Sequence, residues 1–444
     1  MNQTLQLGQT VRTQTTDLAC TVEQFLGGGA QGEVYRATLA GQPVALKWYF
    51  PQYLQQDREL RRRLEQLVRF GPPSDRFLWP LDLAVRPGDD EQFGYIMPLR
   101  EPRFRGMADL VTRRVTPSLR ALVTVGFELA YHYRELHAKG LCYRDIAFGN
   151  VFFDPDTGEV RIGDNDNVDV NNSPGAINGT PRFMAPEIVR GEAEPNAQTD
   201  LFSLAVLLFY LLCNHHPLEG KRELAIHCFD QPAMTRLYGQ DPLFIFDPAD
   251  ESNRPVPGEH DNALAFWPIY PQALRDLFTR AFTAGIHDPH HGRVREGEWC
   301  TALLRLRDGL FYCPGCGAEN FYDVATLRAG QSPHCWACQT ALRLPPRLRI
   351  QQGGERSIVL LNHDTRLYGH HLYPNRQFDL SEPLAAIASH PNRPDVWGLQ
   401  NLSGDKWVVT TAEGAVRDVP PGRSVTLAAG TQIHFGACEG EIRI

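Results

Sequence analysis

Four of the ten cysteines sit in two Cys-x-x-Cys pairs, Cys313-Pro314-Gly315-Cys316 and Cys335-Trp336-Ala337-Cys338, and no other feature restricts its neighbourhood so tightly. The C-x2-C-x18-C-x2-C spacing is that of a tetrahedral structural zinc site. Thiolates are soft ligands, and four of them close the coordination sphere, so no catalytic water remains. A knob of about 30 residues cannot bury enough apolar surface to fold without such a staple. The competing reading, a redox disulfide pair, lacks the βαβ pattern that accompanies it. His334 adjoins Cys335 as a neighbour rather than a ligand. The remaining cysteines, Cys20, Cys142, Cys213, Cys228, Cys300 and Cys438, follow no disulfide rhythm, which points to a reducing cytoplasm.

The 444 residues call for two or three domains. From about Thr21 to Leu46 the chain alternates as strands do around a glycine cluster, and from Gln55 to Phe70 it takes a charged, helical period. Strand-like runs return at Trp79–Val85 and Phe93–Leu99. After Pro117 the pattern is helical, with Leu119–His137 amphipathic and Leu201–Cys213 apolar throughout, too short to span a bilayer. Residues 229–262, rich in Pro, Asp and Asn, read as a long loop or insertion. The N-terminus lacks the cationic start and apolar core of a secretory signal. A net charge of -8 offers neither nucleic acid nor an anionic membrane an electrostatic reason to bind. The expected architecture is multidomain: an α+β, two-lobed body, a small zinc ribbon, and an all-β sandwich of short alternating runs such as KWVVTT.

Residues 26–35, LGGGAQGEVY, place Gly27, Gly29 and Gly32 in a G-x-G-x-x-G spacing, with Gly28 between and Val34 after. Such a turn lies close over phosphates and aims backbone N–H groups at them. Val44-Ala45-Leu46-Lys47 then ends a strand on a lysine. Tyr143-Arg144-Asp145-Ile146-Ala147-Phe148-Gly149-Asn150 follows, and Gly179-Thr180-Pro181-Arg182-Phe183-Met184-Ala185-Pro186-Glu187 is the most specific string in the chain. In this order the motifs resemble the protein kinase superfamily, specifically bacterial eukaryotic-like Ser/Thr kinases, over roughly residues 20–305.

The resemblance implies a bilobal kinase fold, ATP and Mg2+ (or Mn2+) as cofactors, and a protein substrate. Its catalytic residues would be Asp145 as acceptor or orienter of the substrate hydroxyl proton, Lys47 on phosphate, and Asn150 and Asp164 as magnesium ligands. Gly27, Gly28, Gly29, Gly32, Val34, Ala45, Lys47, Met97 (the gatekeeper) and Leu99 (the hinge) would surround the nucleotide, with Glu65 as the helix partner of Lys47 and Glu59 as the alternative. Asp200 would be a hydrogen-bonding hub and Arg293 the partner of Glu187. Ser173 and Thr180 are the only hydroxyls between Asp164 and Glu187. Ser173 is the expected phosphorylation site, facing Arg144, and Thr180 is expected to bond the catalytic loop.

Departures accompany the match. Tyr143 replaces the loop histidine, Ala147 replaces a lysine that steadies the transferred phosphoryl, and Asp164-Asn165-Asp166 stands where Asp-Phe-Gly is usual. Asn165 is expected to bond Tyr143, and Asp166 either adds a metal contact or caps the turn. The alternative function is a nucleotide-binding pseudokinase scaffold. The domain boundaries read as 1–19 extension, 20–305 kinase (lobes meeting near 98–99), 306–345 zinc ribbon carrying Cys313, Cys316, Cys335 and Cys338, and 346–444 sandwich. The sandwich resembles a forkhead-associated domain through PGRSVTLAAGTQIHFG, although Gly369-His370 stands where that family places Gly-Arg, so docking without phosphate recognition is the alternative. The combination resembles kinases of bacterial tellurite-resistance and stress clusters, whose implied partners are a PP2C-type phosphatase and a von Willebrand-type protein.

Overall fold

In the computed structural model, residues 3–170, 179–330 and 332–444 are described. They divide into two compact units, Met1–Leu264 with Leu277–Gly297, and Ala265–Asp276 with Glu298–Ile444.

The first unit opens with a closed barrel of strands β1 (Thr10–Thr13), β2 (Ala19–Gly28), β3 (Gly32–Leu39), β4 (Gln42–Tyr49), β5 (Asp82–Arg86) and β6 (Asp89–Pro98), in the order β1-β2-β3-β4-β6-β5. Residues 1–19, expected as an extension, supply β1, which closes the barrel by pairing Arg12 with Val85 and Thr13 with Ala84. Leu5 is fully buried in the same core. Polar Thr and Gln neighbours hide this strand in the sequence. Two glycines let the strands close on β4: a Cβ at Gly32 would meet the Trp48 carbonyl oxygen at 2.2 Å, and one at Gly94 the Lys47 carbonyl oxygen at 2.1 Å.

The helical stretch expected over Gln55–Phe70 is broken in two, α1 (Pro51–Gln56) and α2 (Leu60–Phe70). Helix α2 ends at Gly71, whose φ of 75° only glycine adopts freely. It buries Leu60, Arg63, Leu64 and Leu67, and its leucines Leu60 and Leu64 pack with Ala45, Tyr95 and Met97 of the barrel.

The second lobe of this unit is helical. Ser118 caps Leu119–Ala138 by accepting from the Ala121 N–H, and Asn196 with Thr199 forms a capping box on Ala197–Cys213. The latter helix is buried from Thr199 to Cys213, each fully buried Leu or Phe contributing about 1.5–3 kcal/mol. Residues 229–262 are ordered by short helices and by Asn253, whose side chain donates to the Leu218 and Leu243 carbonyls. Among the described residues no helix is long and apolar enough to cross a membrane.

The second unit pairs a six-stranded sheet, from Glu355–Leu360 to Val416–Val419, with a four-stranded sheet, from Arg366–Leu367 to Ser424–Thr426. Leu348, Leu367, Leu399, Trp407 and Ile442 are among the residues of their shared core. Ahead of the sheets, the hairpin Leu310–Tyr312 with Glu319–Phe321 carries the first cysteine pair. Phe311, Cys313, Cys335, Leu342 and Leu360 form one cluster, so the cysteine region shares its core with the sandwich strand Glu355–Leu360.

Candidate functional site

The register of one hairpin assembles the carboxylate end of the site. Asn150 immediately precedes strand Val151–Phe153, which pairs antiparallel with Val160–Ile162, Val151 opposite Ile162. The Gly163 N–H then donates to the Asn150 carbonyl at 2.8 Å, so Asn150 and Asp164 leave the hairpin at the same end. Asp164 sits at φ 50°, a left-handed conformation that Asp tolerates, and this turn swings Asp166 back toward the barrel.

Lys47 arrives from β4, opposite Val34 on β3 and Tyr95 on β6. Its Nζ donates to Asp164 Oδ1 at 2.7 Å, Asp166 Oδ2 at 2.8 Å and Gln31 Oε1 at 2.5 Å. Burial works against its charge, but Asp164 and Asp166 outweigh burial and hold it protonated well above the usual lysine range. Asp166, 1% exposed, also accepts from the Tyr49 hydroxyl at 2.5 Å and from that of Tyr95 at 3.4 Å. Burial opposes its charge, yet Lys47 and Tyr49 keep its carboxyl below the usual range. Asp164 is pushed upward by burial and by the charges of Asp166 and Asp145, against the pull of Lys47.

The Lys47–Glu65 pairing expected from the sequence is not made. Glu65 accepts from Gln14 Nε2 at 2.7 Å and lies 3.8 Å from Arg61, while the alternative, Glu59, pairs with Arg62. The buried polar residue of α2 is instead Arg63, whose Nη2 donates to Asp57 at 2.6 Å and whose Nε donates to the Asp166 carbonyl at 3.3 Å. Asn165 does not bond Tyr143. Its amide donates to the Ile162 carbonyl, and the Tyr143 hydroxyl donates to the Gly163 carbonyl, because the left-handed turn at Asp164 points the asparagine back along its own strand.

Asp145 faces this group across the catalytic loop. The Asn150 amide donates to the Asp145 carbonyl at 2.8 Å and to its Oδ2 at 3.2 Å, which leaves Asn150 Oδ1 for a cation. Thr180 Oγ1 donates to Asp145 Oδ1 at 2.7 Å. Val34, Ala45, Met97 and Leu99 belong to one apolar cluster beside Lys47, a surface suited to a flat heteroaromatic ring. Gly27, Gly28 and Gly29 lead to the β2–β3 turn, where the Gly29 N–H donates to the Gly32 carbonyl. A buried ammonium, two hairpin-linked oxygen donors and an apolar slot suit ATP with a hard divalent cation.

Asp200 anchors the loop, accepting from the backbone N–H of Tyr143 at 2.5 Å and of Arg144 at 3.0 Å. Arg293 Nη2 donates to both carboxylate oxygens of Glu187, at 2.7 and 2.8 Å. Arg144 Nη2 lies 3.5 Å from Asp169 Oδ2, and Ser173 lies outside the described residues. Sequence reasoning missed His137, whose Nε2 donates to Asp200 at 3.1 Å and whose Nδ1 pairs with Glu296. Burial would lower its pKa, but Asp200 and Glu296 raise it to about 9. A pKa above the unfolded value stabilises the fold below pH 6.5, and that stabilisation is lost as pH rises through about 9. At about 1.4 kcal/mol per unit, the loss is about 3–4 kcal/mol. Urea midpoints measured from pH 6 to pH 10 should therefore fall over this window, and a His137→Gln variant should show a flatter profile. Gln31, Tyr49 and Tyr95 were also missed, since nothing local marks them.

The cysteine pairs converge in the second unit. All four sulfurs lie within 4.8 Å of one another, with Cys313–Cys338 at 3.6 Å and Cys316–Cys335 at 3.7 Å. A disulfide requires about 2.05 Å. A tetrahedron with Zn–S bonds of about 2.3 Å has edges of about 3.8 Å. Both pairs close with matching turns, the Gly317 N–H donating to the Cys313 carbonyl at 2.9 Å and the Gln339 N–H to the Cys335 carbonyl at 2.8 Å. Asp308, His370 and His371 form a second cluster. The Tyr368 N–H donates to His371 Nδ1, so its Nε2 carries the proton and the neutral ring donates to Asp308 at 3.0 Å, a hydrogen-bonded arrangement rather than a ligand set. His370 packs inside the same cluster, its Nδ1 3.1 Å from the Asp379 carbonyl.

Comparison with known proteins bears on this geometry. Residues 105–265 match the family model described as protein kinase domain. The chain is similar to the DNA damage-responsive serine/threonine-protein kinase RqkA of Deinococcus radiodurans, 31% identical over 305 residues, which is 64% of this chain and 43% of that protein. It is also similar to the serine/threonine-protein kinase PkaB of Streptomyces coelicolor, 30% identical over 220 residues, 45% of this chain and 50% of the relative. A probable serine/threonine-protein kinase of Dictyostelium discoideum is 26% identical over 245 residues, 52% of this chain and 14% of the relative. The chain thus spans half or less of the length of these curated relatives. Barrel lobe, hairpin-borne carboxylates and the match over residues 105–265 together show a bilobal, α+β protein kinase fold, followed by a four-cysteine cluster and all-β sheets.

Proposed function

We propose that this protein transfers a phosphoryl group from ATP to Ser or Thr hydroxyls of protein substrates, itself included, with Mg2+ or Mn2+. The observation that carries the reading is that Lys47 bonds Asp164 and Asn150 bonds Asp145, while Asn150 and Asp164 leave one hairpin at the same end. Lys47 would bind nucleotide phosphate, with Val34, Ala45, Met97 and Leu99 against the base and the Gly27–Gly32 turn over the phosphates. Asn150 and Asp164 would hold the divalent cation, which neutralises charge on the phosphates. Asp145 would accept the proton of the attacking hydroxyl, oriented meanwhile by Thr180 and Asn150.

The four cysteines would bind a structural zinc. The sandwich, residues 346–444 in our domain division, would dock partners. With His370 enclosed, docking without phosphothreonine recognition is the reading we favour, and a forkhead-associated type remains the structural analogy. A PP2C-type phosphatase and a von Willebrand-type protein, within a bacterial stress cluster, are the partner classes we propose for a cytoplasmic protein.

The test incubates the purified chain with labelled ATP and Mg2+ or Mn2+, beside Asp145→Asn and Asp164→Ala. Label should enter the wild type and be lost from both variants. Equal labelling of all three, or of none, would sink the proposal in favour of a pseudokinase scaffold. Mass spectrometry of the labelled product then reports whether Ser173 is the modified residue.

A further inference from the structure

The kinase reading leaves Asp166 without a duty, although it is the most enclosed carboxylate of the site. We infer that Asp166, and not an acid on α2, is the residue that positions Lys47 for nucleotide phosphate; the inference rests on the kinase reading.

Three observations support it. Asp166 gathers Lys47 Nζ and the hydroxyls of Tyr49 and Tyr95, so a buried carboxylate that would otherwise be costly is satisfied by one cation and two donors. Helix α2 presents a cation to this point, Arg63, and its two candidate acids are engaged elsewhere, Glu65 with Gln14 and Glu59 with Arg62. The other carboxylate on Lys47, Asp164, is 37% exposed, against 1% for Asp166. A cation can therefore draw Asp164 away from the lysine while Asp166 stays in place. The lysine anchor and the metal carboxylate then come from one three-residue turn, and movement of α2 does not uncouple them.

The experiment is a double-mutant cycle on ADP affinity, measured calorimetrically on the full chain in EDTA so that metal ligation is silent. Asp166→Asn preserves an acceptor for Tyr49 and should weaken ADP about tenfold in the wild-type background, but by no more than about twofold in Lys47→Met. Glu65→Gln should show no such coupling to Lys47. If Asp166→Asn fails to fold, Tyr49→Phe removes one support of the carboxylate and should weaken ADP about threefold, again only when Lys47 is present.

Equal losses in both backgrounds, no loss in either, or coupling to Glu65 instead would overturn the inference. So would an effect confined to Mg2+-containing buffer, which would make Asp166 a metal ligand. A wild type that binds ADP but transfers no phosphate removes the kinase reading and leaves the cycle valid, whereas a wild type that binds no ADP removes both.

Discussion

Asp145→Asn is expected to slow phosphoryl transfer by about two to four orders of magnitude, the usual contribution of a positioned general base. At about 1.36 kcal/mol per tenfold, this is about 3–5 kcal/mol of barrier. The substitution is nearly isosteric: the remaining side-chain oxygen still accepts from the Thr180 hydroxyl, and the Asn150 amide keeps its 2.8 Å bond to the residue-145 carbonyl, losing only the longer contact to Oδ2. What disappears is an ionised oxygen able to take a proton. Lys47 and the apolar cluster of Ala45 and Met97 are untouched, so the Michaelis constant for ATP should move by less than about threefold, leaving the loss in kcat. Steady-state kinetics with a peptide acceptor separates the two constants. A variant retaining a tenth of wild-type kcat would remove Asp145 from the chemistry, and an equal loss in ATP affinity would point to collapse of the loop.

Much of this site was legible before the fold. The residues that read well are those whose chemistry and spacing are both constrained: Asn150 and Asp164 must flank a short hairpin, and the Val151–Ile162 pairing delivers them side by side. The four cysteines read well for the same reason, because only convergence satisfies soft ligands at that spacing. Lys47 was legible, but its partner was not. Which carboxylate reaches the ammonium depends on where a left-handed turn at Asp164 aims the next two side chains, and on the tyrosines at 49 and 95 that enclose the result. A glutamate on an amphipathic helix is indistinguishable, from period alone, between the face that meets Lys47 and the face that meets Gln14. Strand β1 escaped because four residues are too short for alternation to stand out, and it is pairing with β5 that holds it. His137 escaped because a histidine near the end of a helix is unremarkable until Asp200 and Glu296 are seen on either side of it.

Removing the zinc proposed for the cysteine cluster should have the largest effect on stability. Zinc in comparable four-ligand sites contributes about 10–16 kcal/mol of apparent binding energy at neutral pH, as much as or more than the whole stability of a typical domain. The hairpin around it cannot compensate, since Cys313 and Cys335 are themselves part of its small core, with Phe311 and Leu342. Leu360 belongs to that same cluster, and the Asn362 amide donates to the Leu310 carbonyl, so unfolding of the cysteine region should loosen the Glu355–Leu360 edge of the sandwich as well. Hydrogen exchange after chelation should accordingly show amides of 310–342 exchanging fastest, those of 355–362 next, and the inner strand Trp407–Thr410 least affected. Cys335→Ser, which removes the most enclosed ligand, should reproduce the pattern without chelator. Elemental analysis is expected to find about one zinc per chain in the wild type. If instead the chain carries no zinc, resists chelation and yields two disulfides on peptide mapping, the pairs are redox groups, and the core they share with the sandwich is held by covalent bonds.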